Sequence, residues 1–449
     1  MCKRDSATAM NGRGSEGLAE EASNDARDAG NAHYLGSYYL TPSAATAITK
    51  FQYNGSDRSL IYKYILSPLA QFLVETATPR TVSPNTITLS GLSLMVASYC
   101  TVWYHCPDLD GTVGPRWVFA FNCAAMLIYQ TLDNMDGKQA RRTGSSSPLG
   151  LLFDHGCDAI NSIFGSANWI AAMAISTETD ALTMWVLVIF PMVAFYVTTW
   201  EEYYTGKLVL PIINGPTEGL IMGAALSLTS AIWGPEYWLG MDWFEAVSPR
   251  VLPFLPSALS ELVPEGGVRN CDIMAIATVA ALFREVIEKT VYVCRRYGPR
   301  SLLNLVPLLF LAIATLAVGW IDPSLLVRRP RTCLSIISAL FVEMVTQLML
   351  DHIAEQPYNP YRPCLLPLGL LIVSLTCGRE DSGGLLSSEE TDRLLLAYAV
   401  GTWVYLVMKI RGVVHEICSV LGIWCFDIVT PRNDGGPKLS TKAKGLKVS

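Results

Sequence analysis

Charged residues are scarce in this chain, and their scarcity argues against a soluble architecture. Asp, Glu, Lys and Arg make up 16% of the 449 residues, whereas 51% are hydrophobic and the mean hydropathy is +0.32. A soluble protein of this length needs a larger share of charged side chains on its surface. Several apolar runs also reach about eighteen residues, the length of a membrane-spanning helix. The composition therefore predicts an integral membrane protein rather than a soluble α/β enzyme.

Paired cysteines of a metal or redox site are also missing. The twelve cysteines are scattered singly, and several lie inside apolar runs, among them Cys100, Cys123, Cys333 and Cys364. Structural zinc sites and dithiol redox sites need cysteines at short, paired spacings. We therefore interpret the cysteines as small apolar side chains with free thiols.

Two further absences limit the possible functions. The net charge is −6 and no sustained basic stripe runs through the sequence, which argues against nucleic acid as a partner. The first residues lack a basic start followed by an apolar block, so they are not typical of a secretory signal. Residues 1–40, rich in Ser, Ala, Gly, Asp and Glu, are predicted to be a disordered tail.

Apolar runs organise the rest of the chain and predict about ten spanning helices. They fall near residues 86–105, 117–135, 150–176, 181–200, 216–234, 271–294, 301–320, 332–352, 363–378 and 392–412. The predicted fold is an all-α polytopic membrane protein. Its catalytic helices occupy 85–234, a luminal loop covers 235–270, and the helices of 271–426 line a lipid cavity or form dimer contacts. Residues 41–84 mix aromatic and basic side chains and are predicted to be an interfacial segment with an amphipathic helix.

Basic residues predict the orientation in the membrane. With ten spans both termini lie on one side, and most loop lysines and arginines, together with the basic tail at 427–449, fall on that side. Because cytosolic loops carry an excess of Lys and Arg, we expect both termini and the 133–158 region in the cytosol. Arg328, Arg329 and Arg331 fall on the opposite side and do not follow this pattern.

Four aspartates lie at the junction of the second and third predicted spans. Asp133 and Asp136 are three residues apart near the end of one helix, and Asp154 and Asp158 are four apart near the start of the next. Residues at these spacings share a helix face. Four carboxylates meeting at a membrane edge would repel one another unless cations lay among them. Oxygen-only ligands indicate Mg²⁺ or Mn²⁺, and two such ions about 4 Å apart would hold a diphosphate undergoing displacement.

Small residues and one arginine complete this cluster. Gly137, Ala140 and Gly150 let a phosphorylated ligand approach the backbone between two helices. Arg141 can hold phosphate oxygens through two parallel hydrogen bonds. Together with the aspartates, these positions predict phosphoryl transfer rather than a solvated acidic loop.

The same positions resemble the signature of the CDP-alcohol phosphotransferase family, D-x2-D-G-x2-A-R-x8-G-x3-D-x3-D, with no departure from Asp133 to Asp158. From about Tyr53 to Phe426, the chain resembles the choline/ethanolamine branch of that family in its plant-type aminoalcohol form. The segments that carry the likeness include Tyr53-Asn-Gly-Ser-Asp57, Ser83-Pro-Asn-Thr-Ile-Thr88, Tyr129-Gln-Thr131, Asp154-His-Gly-Cys-Asp158, Trp200-Glu201, Asn214-Gly-Pro-Thr-Glu-Gly219 and Val414-His-Glu-Ile417.

The resemblance implies the last step of phospholipid synthesis. In that branch the hydroxyl of diacylglycerol attacks the β-phosphate of CDP-choline or CDP-ethanolamine, CMP leaves, and phosphatidylcholine or phosphatidylethanolamine forms. It also implies a homodimer in the endoplasmic reticulum or Golgi membrane, with two divalent ions on Asp133, Asp136, Asp154 and Asp158. The residues expected to bind the CDP-alcohol are Asn85 at the cytidine, Asp133, Gly137, Ala140, Arg141 and Gly150.

Two residues are candidates for the base that removes the lipid proton. An imidazole with a near-neutral pKa suits this task. The resemblance favours His155, oriented by Glu218, as the base. Asp158 is the rival, favoured in other branches of the family.

Aromatic residues near the cytosolic ends of the second and fourth spans are candidates for the amine head group. A quaternary ammonium binds well over aromatic faces. The candidates are Tyr129, Trp200, Tyr203 and Tyr204, with Glu201 as a countercharge. For each aromatic residue alone, a place in the interfacial aromatic belt is the alternative interpretation.

Two other functions remain open at this point. A CDP-diacylglycerol-dependent phospholipid synthase would carry the same signature, although such enzymes are mostly shorter. A cation-coupled transporter would also contain intramembrane carboxylates, but the sequence shows no inverted repeat or pair of broken helices.

Overall fold

A computed structural model of the chain describes residues 38–251, 254, 263–264, 266–377, 387–431 and 437–439. Helices dominate them. In chain order they are α1 Pro42–Lys50, α2 Ser67–Thr76, α3 Pro84–His105, α4 Arg116–Thr143, α5 Pro148–Ala172, α6 Thr177–Thr205, α7 Leu220–Trp233, α8 Asp242–Val251, α9 Asn270–Tyr297, α10 Val306–Ile321, α11 Pro323–Arg328, α12 Pro330–Ile353, α13 Leu366–Cys377 and α14 Ser388–Leu421. Two π-helical turns, Tyr62–Leu66 and Gly215–Gly219, lead directly into α2 and α7.

Within the described residues, four three-residue strands accompany the helices. β1 Gly55–Asp57 pairs in parallel with β2 Leu208–Leu210, and β3 Val429–Pro431 pairs antiparallel with β4 Pro437–Leu439. The first pairing ties the segment before α2 to the loop after α6. The long elements are helical, as predicted, and these short pairings were not foreseen.

In the part of the chain that the structure describes, five helical stretches are long and apolar enough to cross a membrane. They are α3, α6, α12, α14, and α10 together with the 3₁₀ turn that precedes it. Each of the ten predicted spans overlaps a helix of the structure, but the other five helices are shorter or more polar. In α4 and α9, for example, carboxylates and basic side chains interrupt the apolar sequence. Five membrane-capable helices are therefore established, and ten crossings remain a prediction.

A short turn joins α4 to α5 and brings the two aspartate pairs together. Gly144 follows α4 in the left-handed region at φ 66°, where glycine has no steric penalty. Ser147 then caps α5, because its hydroxyl oxygen accepts a hydrogen bond from the backbone N–H of Gly150. Pro148 occupies the first helical turn, where its missing N–H is tolerated.

A buried polar junction holds four of the helices together. The side chain of Asn122 in α4 donates a hydrogen bond to Ser227 in α7 and accepts hydrogen bonds from Ser98 in α3 and Asn168 in α5. In an apolar surrounding such side-chain bonds act between helices. The largely buried α12 packs against α5, α6 and α14.

Part of the predicted 235–270 loop is helical. It contains the 3₁₀ turn Pro235–Leu239 and α8, and the buried Trp238 donates a hydrogen bond from Nε1 to the hydroxyl of Ser230. The predicted disordered tail lies outside the described residues up to residue 37. Most of the predicted basic tail, residues 432–436 and 440–449, also lies outside them.

Candidate active site

Three of the four predicted aspartates meet between α4 and α5. Asp133, Asp154 and Asp158 each offer a carboxylate oxygen, and these oxygens lie within 4.8 Å of one another. The three side chains are half-buried. Oδ1 of Asp154 is buried, and no hydrogen-bond donor among the described residues satisfies it. Ionised carboxylates this close repel one another, and a cation among them would offset that repulsion.

The fourth aspartate is held from α3. The hydroxyl of Thr88 donates a hydrogen bond to the carboxylate of Asp136. Thr88 is buried one turn into α3, whose first residues are capped by Ser83. Thr88 belongs to one of the segments that carry the family likeness, but the sequence alone did not mark it as a site residue.

Tyr129 faces the aspartates from α4. Its hydroxyl donates a hydrogen bond to Oδ1 of Asp158 at 2.5 Å, and its side chain is 2% exposed. Tyr129 lies four residues before Asp133, so both side chains are on one face of α4. Of the predicted head-group candidates, Tyr129 is therefore the one found in contact with an aspartate.

The other head-group candidates contact neighbouring helices and loops. The indole of Trp200 is fully buried. The contacts are Trp200 Nε1 donating to the Ser301 carbonyl, Glu201 paired with Lys289 at 3.0 Å, Tyr203 donating to the Gln356 carbonyl, and Tyr204 accepting from Asn304. These contacts tie α6 to α9, to the 3₁₀ turn Pro299–Leu305 and to the segment after α12, so each of these side chains already has a partner.

His155 pairs with a different carboxylate from the one predicted. Its Nε2 lies 3.3 Å from Oε2 of Glu202 in α6, and both side chains are buried. Glu218 instead accepts hydrogen bonds from the hydroxyl of Ser59 and the backbone N–H of Asn214. The expectation that Glu218 orients His155 is therefore corrected. Glu218 lies in the π-helical turn tied to the β1 segment, whereas Glu202 projects from α6, which packs on α5.

The predicted phosphate-binding arginine is open to a ligand. A Cβ added to Gly137 would lie 3.5 Å from Nη1 of Arg141, so the guanidinium lies over this glycine. Arg141 is exposed, and within the described part of the chain its side chain makes no hydrogen bond. Ala140, beside it, is half-buried. An unpaired guanidinium next to an acidic cluster is well placed for a phosphate group.

Asn85 and Gly150 are neighbours in space. A Cβ added to Gly150 would lie 3.6 Å from Oδ1 of Asn85. Nδ2 of Asn85 donates a hydrogen bond to the backbone carbonyl of Cys425 at 2.8 Å. The structure thus brings together Asn85 and Gly150, two residues predicted to bind the CDP-alcohol, at the starts of α3 and α5. Cys425, which follows α14, lies beside them.

Known proteins are similar to this chain over most of its length. Residues 81–242 match the family model described as CDP-alcohol phosphatidyltransferase. Choline/ethanolaminephosphotransferase 1 of Arabidopsis thaliana is 32% identical over 400 residues, which cover 87% of this chain and 98% of that protein. The chain belongs to the CDP-alcohol phosphatidyltransferase family.

Two further relatives show how far the similarity extends. Choline/ethanolaminephosphotransferase 1 of Saccharomyces cerevisiae is 28% identical over 400 residues, covering 87% of this chain and 98% of that protein. Cholinephosphotransferase 1 of Xenopus laevis is 37% identical over 222 residues, covering 49% of this chain and 54% of that protein. The family resemblance expected from the sequence is confirmed.

The aspartate cluster of this CDP-alcohol phosphatidyltransferase fits a divalent cation. Its donors are carboxylate oxygens, which suit a hard ion. The buried, unsatisfied Oδ1 of Asp154 is an acceptor without a protein donor in the described chain. A cation beside Asp133, Asp154 and Asp158 would satisfy this oxygen and offset the repulsion among the three carboxylates.

Helix periodicity explains why Glu202 was missed. Glu201 and Glu202 are adjacent, and successive helical residues point about 100° apart, so they face different neighbours. Glu201 reaches Lys289 in α9, and Glu202 reaches His155 in α5. The adjacent glutamates were the available sequence signal, but the helix rotation that separates their roles is set by packing.

Proposed function

We propose that this family member transfers phosphocholine or phosphoethanolamine from CDP-choline or CDP-ethanolamine to the hydroxyl of diacylglycerol. The products are phosphatidylcholine or phosphatidylethanolamine, and CMP. The meeting of three carboxylates within 4.8 Å carries this proposal. It is supported by similarity over most of the chain to proteins named choline/ethanolaminephosphotransferase.

The acidic residues would hold two divalent ions, Mg²⁺ or Mn²⁺. The proposed ligands are Asp133, Asp136, Asp154 and Asp158. When bound, such ions neutralise a diphosphate and favour displacement at phosphorus. The hydroxyls of Thr88 and Tyr129 position two of these carboxylates, because they donate hydrogen bonds to Asp136 and Asp158.

The CDP-alcohol would lie across the ends of α3, α4 and α5. Arg141 holds phosphate oxygens, and the small side chains of Gly137, Ala140 and Gly150 leave room for them. The remaining proposed contacts are Asp133 and, at the cytidine, Asn85. The open guanidinium above Gly137 and the closeness of Asn85 to Gly150 support this placement.

The proton of the lipid hydroxyl goes to His155 in this proposal. As it leaves, the lipid oxygen bonds to the β-phosphorus, the bond from that phosphorus to the bridging oxygen breaks, and CMP departs with the bridging oxygen. Glu202 orients the imidazole through Nε2. Asp158 is the alternative base, but its Oδ1 already accepts the hydrogen bond of Tyr129.

The amine head group is proposed to lie on the Tyr129 side of the cluster. Trp200, Glu201 and Tyr203 contact Ser301, Lys289 and Gln356, which removes them as the preferred candidates. Tyr129 keeps its contact with the aspartates. An aromatic ring beside a carboxylate is a suitable surrounding for a small cation.

The proposed cellular setting is a ten-span homodimer in the endoplasmic reticulum or Golgi membrane. The active site and both termini face the cytosol, on the side that receives most of the loop lysines and arginines. The segment at 41–84 lies at the membrane surface. Its exposed Tyr64, Ile65, Leu69 and Phe72 support this location, because they offer apolar area to the headgroup region.

Purified full-length protein in lipid nanodiscs tests the function directly. Labelled CDP-choline or CDP-ethanolamine is supplied with diacylglycerol and Mg²⁺, and labelled phospholipid and CMP are measured together. We expect both products in equal amounts. Product that forms with CDP-diacylglycerol as donor and not with either CDP-alcohol would assign the chain to the CDP-diacylglycerol-dependent synthases. Ion uptake without CMP release would indicate a transporter.

A further inference from the structure

The backbone that follows α14 passes beside the start of α3. Residues 422–428, here named the C-terminal strap, begin with Gly422 in the left-handed region at φ 64°. Ile423 belongs to a buried apolar cluster that includes Leu149 of α5. The ring of Phe426 is edge-on to Phe153, with 5.7 Å between the ring centroids. Because these two anchors flank Cys425, the main chain of Cys425 has a defined position over α5.

Cys425 determines the orientation of the Asn85 amide. Nδ2 of Asn85 donates to the carbonyl oxygen of Cys425 at 2.8 Å and points to its Sγ at 3.7 Å. In a side-chain amide, the NH₂ group is the half that can donate to a carbonyl. The acceptor Oδ1 is therefore left on the other side, next to Gly150.

Oδ1 of Asn85 can distinguish cytosine from uracil by hydrogen bonding. Cytosine carries an amino group at C4, which is a hydrogen-bond donor. Uracil carries a carbonyl oxygen at the same position, which is an acceptor. Oδ1 of Asn85 can accept a hydrogen bond from the cytosine amino group. If Oδ1 of Asn85 faced the uracil oxygen instead, two hydrogen-bond acceptors would lie against each other. Both atoms would lose their hydration without gaining a hydrogen bond, which is unfavourable at a buried site.

We propose that the C-terminal strap is a positioning element for base selection. The Cys425 carbonyl holds Asn85 with its oxygen toward the nucleotide, so that the enzyme accepts cytidine donors and rejects uridine donors. Cys425 acts through Asn85 and does not touch the base. This inference rests on the proposed function, because it places the nucleotide at Asn85.

The test compares CDP-choline with UDP-choline as donors to diacylglycerol, using full-length protein. The readout is the ratio of the two kcat/KM values, in which the fraction of active protein cancels. Asn85→Ala is expected to lower this ratio about tenfold, since one good base contact is lost. Phe426→Ala, which frees the strap from Phe153, is expected to lower it about threefold. In the Asn85→Ala background, Phe426→Ala should have no further effect on the ratio.

Trp424→Ala is the matched control, because Trp424 is also a strap aromatic and is 56% exposed, against 53% for Phe426. Its ratio should equal that of the wild type. If Phe426→Ala keeps the wild-type ratio while Asn85→Ala loses it, the strap has no part in base selection. A wild-type ratio in Asn85→Ala would overturn the role of Asn85 as well. Wild-type protein that uses neither nucleotide would instead refute the proposed function.

Discussion

Nε2 of His155 lies 3.3 Å from Oε2 of Glu202, and the two side chains are only 8% and 1% exposed. A buried carboxylate on one ring nitrogen keeps the imidazole in one orientation and tautomer. The contact joins α5, which carries two of the aspartates, to α6. Within the proposed reaction, this pair links proton removal to the helix packing around the metal ligands.

Replacing Glu202 by Gln should lower kcat by about tenfold or more, because the amide no longer carries the charge that stabilises the oriented imidazole. The KM for CDP-choline should stay close to that of the wild type. Steady-state kinetics in nanodiscs measure both quantities. Glu201→Gln is the control in the same helix, since Glu201 contacts Lys289 and should leave kcat unchanged. Equal kcat values for the wild type and Glu202→Gln would contradict the positioning role.

Substituting His155 by Ala separates catalysis from binding. If His155 is the base, we expect kcat to fall by about 10² or more while the KM for the CDP-alcohol changes little. A raised KM with an unchanged kcat would make His155 a binding residue. Asp158→Asn removes the rival base and a proposed metal ligand together, so it should abolish activity in either case.

Removal of divalent ions should stop the reaction. Excess chelator is expected to abolish CMP release, and added Mg²⁺ or Mn²⁺ should restore it, because the three clustered carboxylates are the proposed ligands of these ions. Asp154→Asn should abolish activity at any Mg²⁺ concentration. Full activity in chelator would refute the metal proposal, whereas recovery of Asp154→Asn at high Mg²⁺ would show that this carboxylate is dispensable.

A second group of buried charges should determine stability rather than catalysis. In α12 the carboxylate of Glu343, 1% exposed, accepts hydrogen bonds from Arg362 and from Lys409 of α14. Glu343→Gln leaves two buried cations without their counterion. We expect a loss of about 3 kcal/mol in unfolding free energy, seen as a lower thermal midpoint of the detergent-solubilised protein.

Glu389→Gln is the control for this substitution. Glu389 pairs with Arg393 at the start of α14, but both side chains are about three-quarters exposed, at 76% and 75%. Exposed pairs of this kind contribute little to stability. The thermal midpoint of Glu389→Gln should therefore match that of the wild type. If the midpoint of Glu343→Gln also matched that of the wild type, the buried network would be dispensable for stability.

Local sequence determined much of the site. The spacings of three and four within each aspartate pair place both members on one helix face, and the short turn through Gly144 and Ser147 is readable from its cap residues. The apolar runs overlap helices in all ten places. These features depend on interactions within a few residues, so the sequence is sufficient for them.

Tertiary structure decided which side chains meet across helices. Glu202 rather than Glu218 reaches His155, and Asn85 meets Cys425 from the far end of the chain. Helix periodicity defines the faces of each helix, but the rotation of one helix against another depends on the packing of many side chains. The aspartate cluster was therefore predictable from the sequence, whereas the groups that orient and cover it became identifiable from the folded structure.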